Sequence, residues 1–149
     1  MKRRTFLAAV AAASAGAATG VHAAATKIEV YRSAECGCCG VWVEHLRSNG
    51  FAPEVNMVQD TSAARAKAGI PAALGSCHTA LVEGYAIEGH VPASDIKRLL
   101  EERPSAKGLV VPGMPMTSPG MDARRGPAWD VLLLAADGST KVYSSYPAK

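Results

Sequence analysis

Beyond its first 23 residues, the sequence has no excess of charge of either sign. The chain of 149 residues contains 16 lysines and arginines and 13 aspartates and glutamates. Lys2, Arg3 and Arg4 belong to an N-terminal segment without acidic residues, so residues 24–149 carry thirteen charges of each sign. A chain without a basic excess has no general electrostatic attraction to nucleic acid or to an anionic membrane. We therefore expect neither nucleic acid nor membrane among its partners.

The signatures of several common enzyme classes are missing as well. Residues 24–149 contain no glycine-rich nucleotide-binding loop, no credible Ser-His-Asp arrangement and no carboxylate pair suited to acid–base catalysis. There is no low-complexity tail either. The sequence leaves enzymatic activity open and favours a binding protein over a catalyst.

The N-terminal segment resembles an export signal. A positive start is followed by a small, apolar stretch from Phe6 to Val21, and Val21-His22-Ala23 fits a small-residue cleavage site. The twin arginine before Thr5 further predicts a Tat-type signal. We expect residues 1–23 to be cleaved and residues 24–149 to form one periplasmic domain without a membrane-inserted segment.

The remaining chain alternates strand and helix patterns. In order they are a strand at 27–32, a helix carrying Cys39, Trp42, Val43 and Leu46, a strand at 54–58, a short helix from Asp60 to Gly69, a hairpin of 79–82 and 85–89, and a helix at 92–103. This β-α-β-α-β-β-α order predicts an α/β fold of thioredoxin-like type. A loop rich in Gly, Pro and Met at 105–128 then leads to a C-terminal hairpin of 129–135 and 140–146, with its turn at Asp137-Gly138.

Three cysteines mark the first strand-to-helix junction. Cys36, Cys38 and Cys39 follow the first strand and open the first helix. Unpaired N–H groups and the helix dipole at such a junction favour thiolate over thiol. Because thiolates are nucleophiles and soft-metal ligands, this turn predicts redox or metal chemistry.

Topology brings further ligands to the same turn. In a thioredoxin-like sheet the third strand is antiparallel to the first, so Cys77 and His78 should lie beside the cysteine turn. The fourth strand returns to that edge, and His90 follows its end. Clustered thiolates and imidazoles suit copper and zinc. The loop adds three thioethers, from Met114, Met116 and Met121, and thiolates with thioethers favour Cu(I).

Four motifs together resemble the CopG-type copper-resistance proteins, an exported family with a thioredoxin-like domain. They are Cys36-Gly37-Cys38-Cys39, Ser76-Cys77-His78-Thr79-Ala80, Glu88-Gly89-His90-Val91-Pro92 and the segment GLVVPGMPMTSPGM at 108–121. The resemblance implies periplasmic copper binding in resistance or trafficking, cysteines that bridge more than one copper ion, and cycling between Cu(I) and Cu(II). It also implies copper exporters or chaperones as partners. The ligands it implies are Cys36, Cys38, Cys39, Cys77, His78, His90, Met114 and Met121, together with Met116, whose position varies in the family pattern.

The cysteines also allow other interpretations. In an oxidising compartment Cys36 could pair with Cys39, and Cys77 with Cys38. A Cys36–Cys39 dithiol could serve a thiol-disulfide oxidoreductase. A structural zinc site of the Cys₃His type is the remaining alternative.

Overall fold

A computed structural model describes residues 24–149; the predicted export signal, residues 1–23, lies outside the described residues. The elements are β1 (Thr26–Arg32), α1 (Gly37–Ser48), β2 (Phe51–Met57), α2 (Ser62–Lys67), a 3₁₀ turn (Ala72–Leu74), β3 (His78–Val82), β4 (Tyr85–Glu88), α3 (Ala93–Glu102), β5 (Gly108–Val110), β6 (Trp129–Leu134) and β7 (Thr140–Tyr146). All seven described strands join one sheet in the order β2-β1-β3-β4-β5-β6-β7. The α/β, thioredoxin-like prediction with a C-terminal hairpin is confirmed.

The N-terminal half has the predicted β-α-β-α-β-β-α order. β1 and β2 are parallel neighbours joined through α1, and β3 runs antiparallel to β1. β2 begins at Phe51, earlier than the predicted residue 54, and includes Pro53. A proline is tolerated there because β2 is an edge strand, whose outer N–H groups need no partner. Glu83 and Gly84 form the β3–β4 turn, both with positive φ.

One strand was not predicted. β5 lies inside the segment that the sequence predicts to be a loop, and it pairs with β4 in parallel. Its first residue, Gly108, passes so close to β4 that a Cβ there would lie 1.7 Å from the Ala86 carbonyl oxygen. Because β5 is parallel to β4, it carries the chain back to the sheet edge where β4 ends. The methionine segment therefore starts at the same edge as the cysteine turn.

The hydrophobic core lies on both faces of the sheet. The larger cluster joins α1 and α3 to β1, β4, β5 and β6, through residues such as Trp42, Ile87, Leu99 and Leu109. A smaller cluster on Ile70 and Val110 covers the opposite face beside the 3₁₀ turn. Among residues 24–149, no helix combines the length and the apolar character needed to cross a bilayer.

Candidate metal centre

The cysteine turn caps α1 as the sequence predicts, but two of its thiols are bonded to each other. Cys36 is the N-cap residue, and it forms a disulfide with Cys39. Cys38 is a free thiol, and its Sγ lies 3.4 Å from Cys36 Sγ. The Arg32 guanidinium holds the turn by donating to the Cys36 carbonyl at 3.0 Å. In this form of the protein the disulfide alternative applies, so Cys36 and Cys39 present no thiolate.

Cys77 links the turn to the two histidines. It directly precedes β3, and its Sγ lies within 4.8 Å of the other three cysteine sulfurs. The same sulfur forms a second group with His78 and His90, again with all three ligand atoms within 4.8 Å of one another. The predicted convergence of the three segments is therefore present, because β3 is antiparallel to β1 and β4 returns to the same edge. Cys77 is not paired with Cys38.

The histidine at the end of β4 is held in one tautomer. His90 Nδ1 lies 2.7 Å from the Pro119 carbonyl oxygen. A carbonyl can only accept a hydrogen bond, so Nδ1 carries the proton and donates it. The lone pair of Nε2 then faces Cys77 Sγ at 3.0 Å. A backbone carbonyl that fixes a histidine in this way is the usual outer partner of a metal-binding imidazole.

The second histidine is sealed in the core. His78 has no exposed surface and packs against Trp42, with ring centroids 4.2 Å apart and ring planes tilted by 35°. Burial first, and then the neighbouring His90, lower the pKa of His78 to about 3, so the ring is neutral. Its Nδ1 lies 3.6 Å from Cys77 Sγ, and Nε2 has no hydrogen-bond partner in the described chain. A neutral imidazole whose Nδ1 faces the Cys77 sulfur fits a metal ligand.

Cys77 itself is protonated before any metal binds. Burial first, and then the nearby Cys38, raise the pKa of the Cys77 thiol to about 11. Its S–H can therefore donate to His90 Nε2, which the tautomer leaves as an acceptor. A soft cation that binds here must displace this proton, so the site couples metal binding to proton release.

The methionine loop, residues 111–128 between β5 and β6, contacts the site on both sides of Met114 and Met116. The Gly113 carbonyl accepts a hydrogen bond from Ser76 Oγ, next to Cys77. At the other end, beside Pro119, a Cβ on Gly120 would lie 2.8 Å from the Cys38 carbonyl and 3.1 Å from His90 Nδ1. Only a glycine, here with φ +92°, lets the loop approach α1 so closely.

The methionines themselves differ in exposure. Met114 and Met116 are about half exposed, at 52% and 51%, and Met121 is partly buried directly after Gly120. The loop contacts Ser76, next to Cys77, through Gly113 and contacts His90 through Pro119. Coordination by its sulfurs stays a prediction.

Three residues outside the predicted ligand set support the site. Trp42 packs against His78, and its Nε1 donates to the Val91 carbonyl at 2.9 Å. His45 is half-buried and accepts a hydrogen bond from the Ala93 N–H at 3.1 Å, which ties α1 to the start of α3. The third is Pro119, whose carbonyl fixes His90 and which no sequence motif marks as part of the site.

Comparison with known proteins decides the family. A family model described as "Protein of unknown function, DUF411" matches residues 74–121, which include Cys77, His78 and His90. Two solved structures, named copper resistance protein copG in form 1 and form 2, are 44% identical to the chain. Each match covers 82% of this chain and 98% of the other, with TM-scores of 0.77 and 0.78. The chain belongs to the CopG copper-resistance family. No curated protein matches it at a significant level.

Membership of the CopG family agrees with the geometry. The family match spans the half of the site that supplies Cys77 and both histidines, and the structural matches extend over most of the described chain. The cysteine and histidine groups at one edge of the sheet are able to hold a metal ion.

Proposed function

We propose that this CopG-family protein binds copper in the periplasm and acts in copper resistance or trafficking. The observation that carries the proposal is Cys77 Sγ, which is shared by a four-sulfur group and a group with two imidazoles. Sulfur ligands favour Cu(I), and imidazole suits both Cu(I) and Cu(II). The family name of the two structural matches supports copper over other soft ions.

The ligand set depends on the state of the disulfide. With Cys36 and Cys39 bonded, the available ligands are Cys38, Cys77, His78 and His90. Reduction of the disulfide adds two thiolates within 4.8 Å of Cys77, enough sulfur to bridge more than one copper ion. We propose that this mixed sulfur and nitrogen site holds both Cu(I) and Cu(II).

A competition titration tests copper binding. The reduced protein comprising residues 24–149 is titrated with Cu(I) against a chromophoric chelator, beside Cys→Ser variants at positions 36, 38, 39 and 77 and His90→Gln. We expect each variant to bind Cu(I) at least about tenfold more weakly, because each removes a proposed ligand. Wild-type affinity in the Cys38→Ser and Cys77→Ser variants would refute the proposed site.

The methionines are proposed to deliver or shield Cu(I). Met114, Met116 and Met121 are replaced by Leu, which keeps the apolar volume and removes the thioether. The control is Met57→Leu on β2, because Met57 is 57% exposed and so resembles Met114 and Met116. We expect slower Cu(I) uptake from the chelator in the loop variants only. Equal uptake rates in the wild-type protein and all four variants would remove the methionines from the proposal.

Export and partners form a separate part of the proposal. We propose that residues 1–23 direct Tat export, and that periplasmic copper exporters or chaperones load or unload the site. Replacing Arg3 and Arg4 together by Lys keeps the positive charge and should hold the full chain in the cytoplasm. Unchanged periplasmic accumulation on cell fractionation would exclude the Tat route.

Two other functions have specific observations in their favour. The Cys36–Cys39 disulfide at the start of α1 supports a thiol-disulfide oxidoreductase. Its dithiol form, regenerated by added dithiothreitol, would reduce an insulin disulfide and return to the Cys36–Cys39 disulfide without metal, and Cys36→Ser would lose that activity. The cysteine and histidine side chains of the site would also suit a structural zinc ion of the Cys₃His type. Elemental analysis of protein purified without added metal separates zinc from copper.

A further inference from the structure

A buried ion pair lies directly behind the Cys77 segment. Glu88 of β4 is fully buried, Arg65 of α2 is 13% exposed, and Arg65 Nε donates to Glu88 Oε1 at 2.7 Å. Such a pair gains little net stability over apolar side chains of similar size, because both charges must leave water. Because stability alone does not explain the Arg65–Glu88 pair, we looked for another role in its contacts.

The pair holds both backbone polar groups of Ser76, the residue before Cys77. The Ser76 N–H donates to Glu88 Oε1 at 2.7 Å, and the Ser76 carbonyl accepts from Arg65 Nη2 at 2.7 Å. The other Glu88 oxygen accepts from Thr79 Oγ1 at 2.6 Å. The chain is thus held on both sides of the Cys77-His78 dipeptide by one carboxylate.

The guanidinium also sets the path of the chain into this segment. A Cβ on Gly75 would lie 2.9 Å from Arg65 Nε and Cζ, so the backbone passes close to the guanidinium. Arg65 Nη2 donates in addition to Thr61 Oγ1 at 3.0 Å, which fixes the fork from the other side. A lysine in place of Arg65 has its three N–H groups on one nitrogen atom, so it lacks the two separate donors, Nε and Nη2, that reach Glu88 on one side and Ser76 and Thr61 on the other.

We infer that Arg65 and Glu88 are positioning residues for the metal centre: they hold the Cys77 sulfur opposite His90 Nε2 and beside Cys38. The inference rests on the proposed copper-binding function. Neither residue touches the ligand atoms, so their effect on copper is transmitted through the Ser76 backbone. Variants at Arg65 or Glu88 should therefore remain folded but hold the Cys77 sulfur less firmly opposite His90 Nε2.

Two variants and one control test this role. Glu88→Gln keeps the shape of the side chain without the charge, and Arg65→Lys keeps the charge without the fork. The control is Asp95→Asn, which changes another buried carboxylate, one that bonds Tyr146 at 2.7 Å and joins α3 to β7. Each folded variant is assayed for Cu(I) affinity by chelator competition and for denaturation midpoint. In metal-free protein, the alkylation rate of Cys77 is measured relative to that of Cys38, the other free thiol.

The expected results separate positioning from stability. Glu88→Gln and Arg65→Lys should weaken Cu(I) binding about tenfold, the usual effect of losing an outer partner of a metal ligand, and should raise the Cys77 to Cys38 alkylation ratio several-fold. Asp95→Asn should lower the denaturation midpoint and leave both other readouts unchanged. Wild-type affinity and alkylation ratio in both site variants, or equal changes in Asp95→Asn, would overturn the inference. If wild-type protein binds no Cu(I), the proposed function fails, and the alkylation ratio still decides whether the pair positions Cys77.

Discussion

The buried histidine His78 predicts a steep loss of stability in acid for the metal-free protein. Burial and the neighbouring His90 lower its pKa from 6.5 to about 3. Between pH 6.5 and about 3, His78 binds a proton in the unfolded chain but stays neutral in the folded protein. The free energy of unfolding therefore falls as the pH drops through this window, and His78 does not affect it above pH 6.5. Each pH unit corresponds to about 1.4 kcal/mol, which gives a loss of about 5 kcal/mol over the whole window. That is comparable with the entire stability of a small domain, about 5–15 kcal/mol.

Denaturant unfolding at a series of pH values from 7 to 4 measures this loss. Fluorescence of the two tryptophans, one of which is the buried Trp42 packed against His78, can follow the transition. The matched variant is His78→Phe, because Phe keeps an aromatic ring against Trp42 and does not titrate. Other acid-sensitive groups, such as His45 and Asp60, are the same in both proteins and cancel in the comparison. We expect the stability of His78→Phe to depend much less on pH. Parallel pH profiles for the two proteins would show that the pKa of His78 is not lowered in the folded protein.

Three further predictions follow from other contacts of the site. Gly120→Ala should cost about 1–3 kcal/mol more than Gly113→Ala on chemical denaturation, because both have positive φ but only Gly120 has atoms where a Cβ would lie; equal costs would contradict the close approach of the loop to α1. Trp42→Phe should cost at least about 1–3 kcal/mol in unfolding free energy, since the buried Val91 carbonyl loses its donor, and an unchanged midpoint would argue against that hydrogen bond. Because the Cys77 pKa is raised to about 11, Cu(I) must displace the Cys77 proton. This proton alone should make the affinity measured by chelator competition rise with pH between 6 and 8 by about tenfold per unit. Cys77→Ser should reduce the slope, and a flat wild-type profile would refute the coupling.

Topology explains why so much of the site could be predicted from sequence. The antiparallel pairing of β3 with β1 follows from the β-α-β-α-β-β-α order, and it places Cys77 and His78 beside the cysteine turn. The position of His90 after β4 follows from the short hairpin at Glu83-Gly84. These conclusions need only strand direction, which local patterns determine well.

Other features depend on contacts that no local pattern contains. β5 has three residues in a segment rich in Gly and Pro, too few to show a strand period. The His90 tautomer is set by Pro119, 29 residues away, and the Cys77 segment is held by Arg65 from a short helix that carries no motif. Whether Cys36 and Cys39 form a disulfide or remain thiols depends on the redox state, and their spacing in the sequence does not determine it.

X-ray absorption at the copper edge of the Cu(I)-loaded, reduced protein identifies the atoms that bind the copper. With Cys77 and His90 as ligands, we expect sulfur neighbours with an imidazole contribution, and a weaker imidazole signal in His90→Gln. A shell of oxygen and nitrogen without sulfur, or a spectrum unchanged by Cys77→Ser and His90→Gln together, would contradict it.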